Sequence, residues 1–290
     1  MSKRIPALAP IPIDKAQVMA NFPKRPRDSH KGMFGTVAVI GGASGMVGAP
    51  LLAARAALKL GAGCVHAGLL ADNAPGIDLL QPELMLHNAT DALRLPDVDV
   101  LAIGCGLGAS IAAQKILYEA LKTETALVLD ADALNLLARH ADLQDDLRAR
   151  KAPSVITPHP GEASRLLACK TGEVQADRAA AARQLAQRFA CSVVLKGASS
   201  LCATRDGRLF VNRTGNPGMS AAGMGDVLTG MIAAFIAQGM SADDALLLAV
   251  HLHGAAGDAL AQQQAALGMT ATEVTEWARW LLNQWIQTAE

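Results

Sequence analysis

Short, continuously apolar runs alternate along the chain with longer apolar, helix-forming stretches. Each run is followed at once by glycine, proline or a polar side chain, which is how a buried strand ends. The predicted strands are residues 36–40, 98–103, 126–129, 155–157 and 192–195, with a hairpin of 201–203 and 209–211 around Asp206-Gly207. The predicted helices are residues 50–60, 226–238, about 242–262, and 273–288.

Strands that are apolar throughout, rather than alternating with polar residues, are typical of a parallel sheet covered on both faces. The pattern therefore predicts a three-layer α/β/α sandwich with a mostly parallel central sheet. No linker or repeat divides the chain, so residues 30–290 are expected to form one domain. Residues 1–29 carry five prolines and mixed charge, and predict a loosely held N-terminal arm. The polar loops all follow strands, where parallel sheets bind ligands, so one cleft is expected.

Composition narrows the classes of partner. Among 290 residues, Lys+Arg 26 balances Asp+Glu 26, which disfavours nucleic acid or an acidic membrane. The five cysteines are odd in number and lack CxxC spacing, as expected for buried thiols in a reducing cytosol. No signal peptide is evident, and no apolar run reaches the roughly 18 residues of a membrane span. A cytoplasmic protein is the expectation.

The segment 212–230 carries the strongest chemical signal. Four glycines crowd into residues 215–225, Asp226 follows directly, and an apolar helix comes next. A glycine loop that opens a helix leaves several N–H groups unpaired and suited to phosphate, here those of Gly223, Met224 and Gly225. A carboxylate at this point makes sense if a hydroxyl must lose its proton to attack phosphorus.

Two other glycine loops follow strands. Residues 41–50 lack the Gly-Lys-Ser/Thr ending of a P-loop, so either a ligand loop or an ordinary turn fits. Residues 104–109 satisfy G-x-G-x-x-G/A, and Asp130 lies about 20 residues further on, at the end of the next strand. A Rossmann dinucleotide site therefore remains an alternative.

Two carboxylates, Asp130 and Asp132, follow the strand 126–129. Near a phosphate site they suit Mg²⁺, which prefers a few oxygen ligands and keeps its waters. Equally, Asp132 fits as the cap of the helix that begins there. Both interpretations stay open.

Two further strand ends carry functional side chains. Prolines on both sides hold His159 rigidly, and Glu162 lies near the next helix start, so a ligand contact is favoured over a purely structural histidine. The segment 196–200 places the Lys196 cation, a flexible glycine and two hydroxyls together, which suits nucleotide phosphate or ribose.

In this order, the motifs resemble the ribokinase-like superfamily, and within it the ADP/ATP-dependent NAD(P)H-hydrate dehydratases. The resemblance runs from about residue 30 to residue 237. Pro-His-Pro-Gly-Glu at 158–162 together with Gly-Asn-Pro-Gly at 215–218 separates this family from vitamin kinases of the same fold. The other matching segments are 30–32, 48–49, 104–106, 130–135, 196–197 and 223–226.

The resemblance implies a repair reaction, in which NADH or NADPH hydrated on the nicotinamide ring is dehydrated at the expense of ADP, giving AMP and phosphate. It also implies a homotetramer, and a separate epimerase as functional partner, because the stretch before the first strand is too short for the epimerase domain of many relatives. By the same resemblance, the hydrated dinucleotide contacts Ala49, Gly106, His159 and Asp226. The adenine nucleotide contacts Lys196, Gly197, Ala198, Ser199, Ser200 and Gly225.

The chemistry expected is phosphoryl transfer to the ring hydroxyl. Asp226 takes the hydroxyl proton, while the amides around 223–225 and Mg²⁺ hold the phosphoryl charge. Three alternatives remain: a vitamin-precursor kinase on the same fold, a Rossmann oxidoreductase that uses residues 104–109, and, more remotely, a nucleotide sensor without catalytic activity.

Overall fold

The computed structural model describes residues 9–288, and its described strands form a single ten-stranded sheet. The order across the sheet is β1-β10-β9-β8-β7-β6-β5-β2-β3-β4. The strands are β1 Ile11–Pro12, β2 Thr36–Gly41, β3 Cys64–Leu69, β4 Met85–Asn88, β5 Val100–Ile103, β6 Ala126–Leu129, β7 Ser154–Ile156, β8 Ser192–Leu195, β9 Leu201–Ala203 and β10 Leu209–Val211.

Helices cover both faces of this sheet. They are α1 Lys15–Met19, α2 Gly48–Lys59, α3 Ala89–Leu93, α4 Ile111–Leu121, α5 Asp132–Arg139, α6 Ala141–Ala149, α7 Pro160–Leu167, α8 Thr171–Ala176, α9 Arg178–Phe189, α10 Met224–Ala237, α11 Ala242–Gln263 and α12 Ala271–Gln287. Two short 3₁₀ turns lie at Lys31–Phe34 and Pro217–Met219.

The parallel sheet expected from the sequence is confirmed. The seven strands from β8 to β4 pair in parallel, and the hairpin of β9 and β10 adds antiparallel pairs at one side. Successive residues of β2 face opposite layers: Val37 packs against α2 and α10, and Ala38 packs on the α3 and α4 side. Burial on both faces is why the strands are apolar throughout.

Parallel strands bring the predicted loops together at one edge. Two hydrogen bonds join the 41–50 loop to the 104–109 loop. The Gly42 N–H donates to the Cys105 carbonyl at 3.1 Å, and the Ala43 N–H donates to the Gly106 carbonyl at 2.7 Å. The Lys196 N–H donates to the Pro158 carbonyl at 2.9 Å, which joins the ends of β7 and β8. These bonds bring strand-end loops together in two neighbouring pairs at the edge where the sequence predicted a single cleft.

Two strands and the state of the arm differ from expectation. β3 and β4 were missed because His66 and Gly68 interrupt the apolar run of β3, and β4 is a half-exposed edge strand. The arm is not loose where it is described: β1 pairs with β10, and Val18 of α1 is buried against the domain. Residues 1–8 of the predicted arm and 289–290 of the predicted domain lie outside the described residues.

Between residues 9 and 288, no helix has the length and apolar character needed to cross a membrane.

Candidate active site

Asp226 lies in the first turn of α10, directly after the glycine loop. The helix begins at Met224, two residues before the predicted start, and Gly223 is its N-cap with φ of 88°. This positive φ favours glycine, and a Cβ atom on Gly223, 2.6 Å from Leu52 Cδ1, would also have to displace the Leu52 side chain. The first amides of α10 have no intrahelical acceptor, which leaves them available to an anion beside Asp226.

The Asp226 carboxyl is set up as a base near neutral pH. Burial raises its pKa to about 6, against a smaller opposing effect of a hydrogen bond with the Cys105 thiol. The negative charge of Asp130 raises the pKa further, while the positive charge of Lys196 lowers it. Catalytic bases work best with a pKa close to the working pH. Cys105, fully buried at the end of β5, was not identified from the sequence as part of this environment.

Lys196 and Asp130 form an ion pair beside α10, with Nζ 2.5 Å from Oδ1; the Asp130 side chain is buried and that of Lys196 is 19% exposed. The other Asp130 oxygen accepts a 3.0 Å hydrogen bond from Thr229 of α10. Burial by itself would raise the pKa of Asp130, but the charge and hydrogen bond of Lys196, together with hydrogen bonds from Thr157 and Thr229, hold that pKa below its usual value. Nζ also lies 3.2 Å from where a Cβ atom on Gly225 would be. The predicted nucleotide residues Lys196 and Gly225 are therefore neighbours.

The predicted magnesium ligands are already engaged within the protein. Asp130 is 1% exposed and uses both oxygens as described above. Asp132 is not the N-cap of α5, because Ala131 holds that position, and its carboxylate accepts the Gly108 N–H at 2.8 Å. No cluster of three or more His, Cys, Asp or Glu side chains suited to a metal occurs within residues 9–288. This arrangement does not fit Asp130 as a direct metal ligand.

His159 is the N-cap of α7, in a capping box with Glu162. Its Nδ1 accepts the Gly161 N–H at 2.9 Å, and Nε2 lies 3.3 Å from a Glu162 oxygen. Burial, followed by the positive charge of Lys196, lowers the pKa of His159. Burial raises the pKa of Glu162 to about 7. The imidazole is therefore neutral, half exposed and held in one orientation by its own helix start.

Ala49 and Gly106, the other predicted substrate contacts, lie side by side. Gly106 has φ of 58°, and a Cβ atom there would lie 2.7 Å from the Met46 carbonyl and 3.2 Å from the Ala49 side chain. These close approaches explain why residue 106 is glycine, and no contact with a dinucleotide phosphate is needed to account for it. The 104–109 loop packs directly on the 41–50 loop.

The 196–200 loop has a partner that the sequence analysis missed. Arg178 at the start of α9 donates hydrogen bonds to the carbonyls of Leu195, Lys196 and Ala198. Arg178 lies 17 to 20 residues before the residues it contacts, and the sequence around it contains no motif that links it to the loop. The predicted nucleotide residues Gly197, Ala198, Ser199 and Ser200 all lie in this loop, next to Lys196.

The first half of the glycine segment is held by α11. Asp258 accepts the Gly215 N–H at 2.8 Å and an Asn216 side-chain N–H at 3.0 Å. His251 of the same helix is buried and packs its ring 5.7 Å from that of Trp285. The loop that leads to Asp226 is therefore rigidly attached, and His251 has a packing role.

The layers, sheet order and phosphate-suited helix start define a ribokinase-like protein. A ribokinase-like superfamily protein from Enterococcus faecalis superposes with a TM-score of 0.84 at 26% identity, covering 98% of this chain and 99% of that one. A family model described as NAD(P)H-hydrate dehydratase matches residues 37–279. The chain belongs to the NAD(P)H-hydrate dehydratase family.

Two relatives give the level of similarity. The ADP-dependent (S)-NAD(P)H-hydrate dehydratase of Neisseria meningitidis serogroup B is 44% identical over 267 residues, covering 91% of this chain and 90% of that protein. The ADP/ATP-dependent NAD(P)H-hydrate dehydratase of Bacillus subtilis, co-crystallised with ATP and Mg²⁺, superposes with a TM-score of 0.85 at 30% identity. That match covers 95% of this chain and 99% of that one.

Other relatives are longer. The bifunctional NAD(P)H-hydrate repair enzyme of Coxiella burnetii is 41% identical over 90% of this chain, which spans 53% of that protein. The chain therefore corresponds to about half the length of these bifunctional relatives.

Proposed function

We propose that this protein dehydrates the (6S) hydrate of NADH or NADPH at the expense of ADP, releasing AMP and phosphate. The observation that carries the proposal is the position of Asp226: a carboxyl with a pKa of about 6 at a helix start whose free amides suit phosphate. The 44% identity to an ADP-dependent relative supports the choice of substrate and co-substrate.

In the first step Asp226 removes the proton from the ring hydroxyl of the hydrate. The hydroxyl oxygen attacks the β-phosphorus of ADP, the bond to the bridging oxygen breaks, and AMP leaves. The amides of Gly223, Met224 and Gly225 stabilise the charge on the transferred phosphoryl group. Such transfer depends on positioning and on neutralising charge, which a rigid glycine loop beside a lysine provides.

In the second step the phosphate leaves with the former hydroxyl oxygen. The lone pair of the ring nitrogen expels it, and the adjacent ring carbon then loses one proton, which restores the 5,6 double bond. Phosphate is a far better leaving group than hydroxide, so the phosphoryl group serves only as an activator.

The binding assignments follow the two sides of the cleft. The hydrated dinucleotide lies against Ala49, Gly106 and His159, with its ring hydroxyl at Asp226. The adenine nucleotide lies against the 196–200 loop and Gly225, where the Lys196 charge is close to the helix start. Their grouping on one sheet edge supports this division.

Mg²⁺ is proposed to arrive with the nucleotide, held by phosphate oxygens and water, as this ion prefers. The B. subtilis relative that was crystallised with ATP and Mg²⁺ supports this assignment. When bound, the ion neutralises phosphate charge. Asp130 is already paired with Lys196, which argues against direct binding of Mg²⁺ by this carboxylate.

The proposal extends to a homotetramer in the cytoplasm that works with a separate epimerase. Within the described residues all five cysteines are free thiols, which agrees with a reducing compartment. The bifunctional repair enzymes among the relatives support a functional link to a partner activity.

One assay tests the function. The protein is mixed with hydrated NADH, Mg²⁺ and either ADP or ATP, and the absorbance of reduced nicotinamide is followed together with phosphate release. Nucleotide-dependent recovery of NADH with stoichiometric phosphate is the expected result. A stable phosphorylated product would instead indicate a kinase, and hydride transfer without nucleotide would indicate an oxidoreductase.

A further inference from the structure

Arg178 makes an unusual set of contacts behind the 196–200 loop. Its Nη2 donates to the carbonyls of Leu195 and Lys196 at 3.2 Å each, and its Nη1 donates to the carbonyl of Ala198. One guanidinium therefore gathers three carbonyls on one side of the loop. The partial burial of this group, which lowers the pKa of Arg178, strengthens the contacts with the Leu195 and Lys196 carbonyls by limiting competing water.

This arrangement decides where the loop amides point. In a planar trans peptide the C=O and the following N–H point in opposite directions. Because the carbonyls of Lys196 and Ala198 face Arg178, the N–H groups of Gly197 and Ser199 face away from it. Neither N–H has an acceptor among residues 9–288.

The backbone of the loop is specialised for this shape. Gly197 has φ of 135°, and a Cβ atom there would lie 3.1 Å from the Arg178 guanidinium. Ser199 holds φ of 53°, in the left-handed region that non-glycine residues seldom adopt. Successive amides around a left-handed residue form a concave donor surface that suits anions. Strain of this kind persists only where surrounding contacts enforce it, and Arg178 supplies three of them.

The opposite side of the loop faces the cleft. The N–H of Lys196, whose preceding carbonyl is also bound by Arg178, donates to the Pro158 carbonyl at the end of β7. The side chain of Lys196 lies at Asp130 and the start of α10. The Lys196 amide, which is turned away from Arg178 in the same way, therefore points toward the end of β7, beside the proposed site of phosphoryl transfer.

We propose that Arg178 is a positioning residue for the nucleoside diphosphate. It holds the 196–200 loop so that the amides of Gly197 and Ser199 bind the phosphate oxygens of ADP, and it does not touch the nucleotide itself. This inference rests on the proposed function, since it assigns the nucleotide to this loop.

The test compares Arg178→Met and Arg178→Lys with the wild-type enzyme. Methionine has a side chain of similar reach but no hydrogen-bond donor. Lysine keeps the positive charge but has one nitrogen in place of the two that contact the three carbonyls. Arg188→Met is the control, because it removes another guanidinium of α9, one that donates to the Gln144 side chain and lies over the Phe189 ring, away from the 196–200 loop. Steady-state KM values for ADP and for hydrated NADH are measured separately, with thermal melting and with AMP binding by calorimetry.

Arg178→Met is expected to raise KM for ADP and weaken AMP binding by about tenfold or more, as loss of charge-assisted hydrogen bonds does. KM for hydrated NADH should stay within about twofold, since loss of those bonds acts on the loop alone. Arg178→Lys should fall between, and Arg188→Met should match wild type. Equal rises of both KM values, or unchanged AMP binding, would overturn the inference.

The two proposals fail in different ways. A wild-type enzyme that never turns over hydrated NADH with nucleotide contradicts the proposed function, whereas AMP binding by the variants still tests Arg178. If Arg178→Met does not fold, Arg178→Lys decides: AMP binding equal to that of wild type would refute the positioning role.

Discussion

The Lys196 ammonium lies 2.5 Å from a carboxylate oxygen of Asp130 and 3.2 Å from the space that a side chain on Gly225 would need. The pair joins the ends of β6 and β8 at the start of α10. A nucleotide phosphate that reaches Lys196 meets a cation already held in place by a buried carboxylate. The ion pair thus links fold stability to the charge of the site.

Breaking this pair should destabilise the protein. Lys196→Met leaves Asp130, 1% exposed, without its counter-charge, and loss of one partner of a buried pair costs about 3–5 kcal/mol. The double variant Asp130→Asn/Lys196→Met should recover much of that loss. Chemical denaturation of the wild type, Lys196→Met, Asp130→Asn and the double variant measures the coupling, and strictly additive losses would show that the two side chains do not depend on each other.

Replacing Asp226 should remove the base. Asp226→Asn is expected to lower kcat by ~10²–10⁴, the usual effect of losing a positioned general base. Glu276→Gln, which changes an exposed carboxylate on α12, serves as the control. Turnover of Asp226→Asn near the wild-type rate would rule out the role given to this residue.

The same substitution should not destabilise the fold above neutral pH. The pKa of Asp226 is raised from 3.8 to about 6 in the folded protein, so its stabilising effect is present below the unfolded pKa. That effect is lost as pH rises through about 6, because a carboxylate must then ionise while buried. At pH above this range, Asp226→Asn should melt no lower than wild type. A lower melting temperature there would argue that the carboxylate is stabilising when charged.

Activity should follow the ionisation of Asp226. Because the base acts in its charged form, kcat/KM is expected to fall as pH drops through about 6. The hydrogen bond with Cys105 lowers the pKa of Asp226, so Cys105→Ala should move this acidic limb to higher pH. An acidic limb that does not move in Cys105→Ala would remove the thiol from the account of this pKa.

Gly106→Ala should damage both stability and substrate binding. Its φ of 58° and the 2.7 Å approach to the Met46 carbonyl leave no room for a methyl group. A left-handed alanine costs about 1–2 kcal/mol before that clash. Gly172→Ala is the matched control, because it lies in α8 with open space and an ordinary φ. Equal behaviour of the two variants in melting and in KM for hydrated NADH would contradict this explanation.

The sequence predicted the fold wherever a run of residues carried its own signal. Buried strands such as β2 and β6 were found because they are apolar throughout, and α10 because glycines precede it. β3 was missed because His66 and Gly68 interrupt its apolar run; His66 is half-buried beside His87 of the edge strand β4. Its place in the sheet depends on pairing with β2, which lies elsewhere in the chain.

The site shows the same division. Strand-end position predicted that Asp226, His159 and Lys196 would share one cleft, since parallel topology determines that edge. No local pattern indicated that Lys196 would pair with Asp130, or that Arg178 would bind the carbonyls of the 196–200 loop. These contacts join segments 17 to 66 residues apart, and only the folded backbone brings them within reach.

The short strand β1 also bears on how this edge of the sheet resists the addition of further strands. An open sheet edge offers unpaired N–H and C=O groups to any other extended segment, and so invites growth by strand addition. Here the strand beyond β10 is two residues long and ends in Pro12, which has no N–H to offer. At this edge the described sheet thus ends in a strand that is a poor template for aggregation, and the same strand covers the hairpin that follows the 196–200 loop.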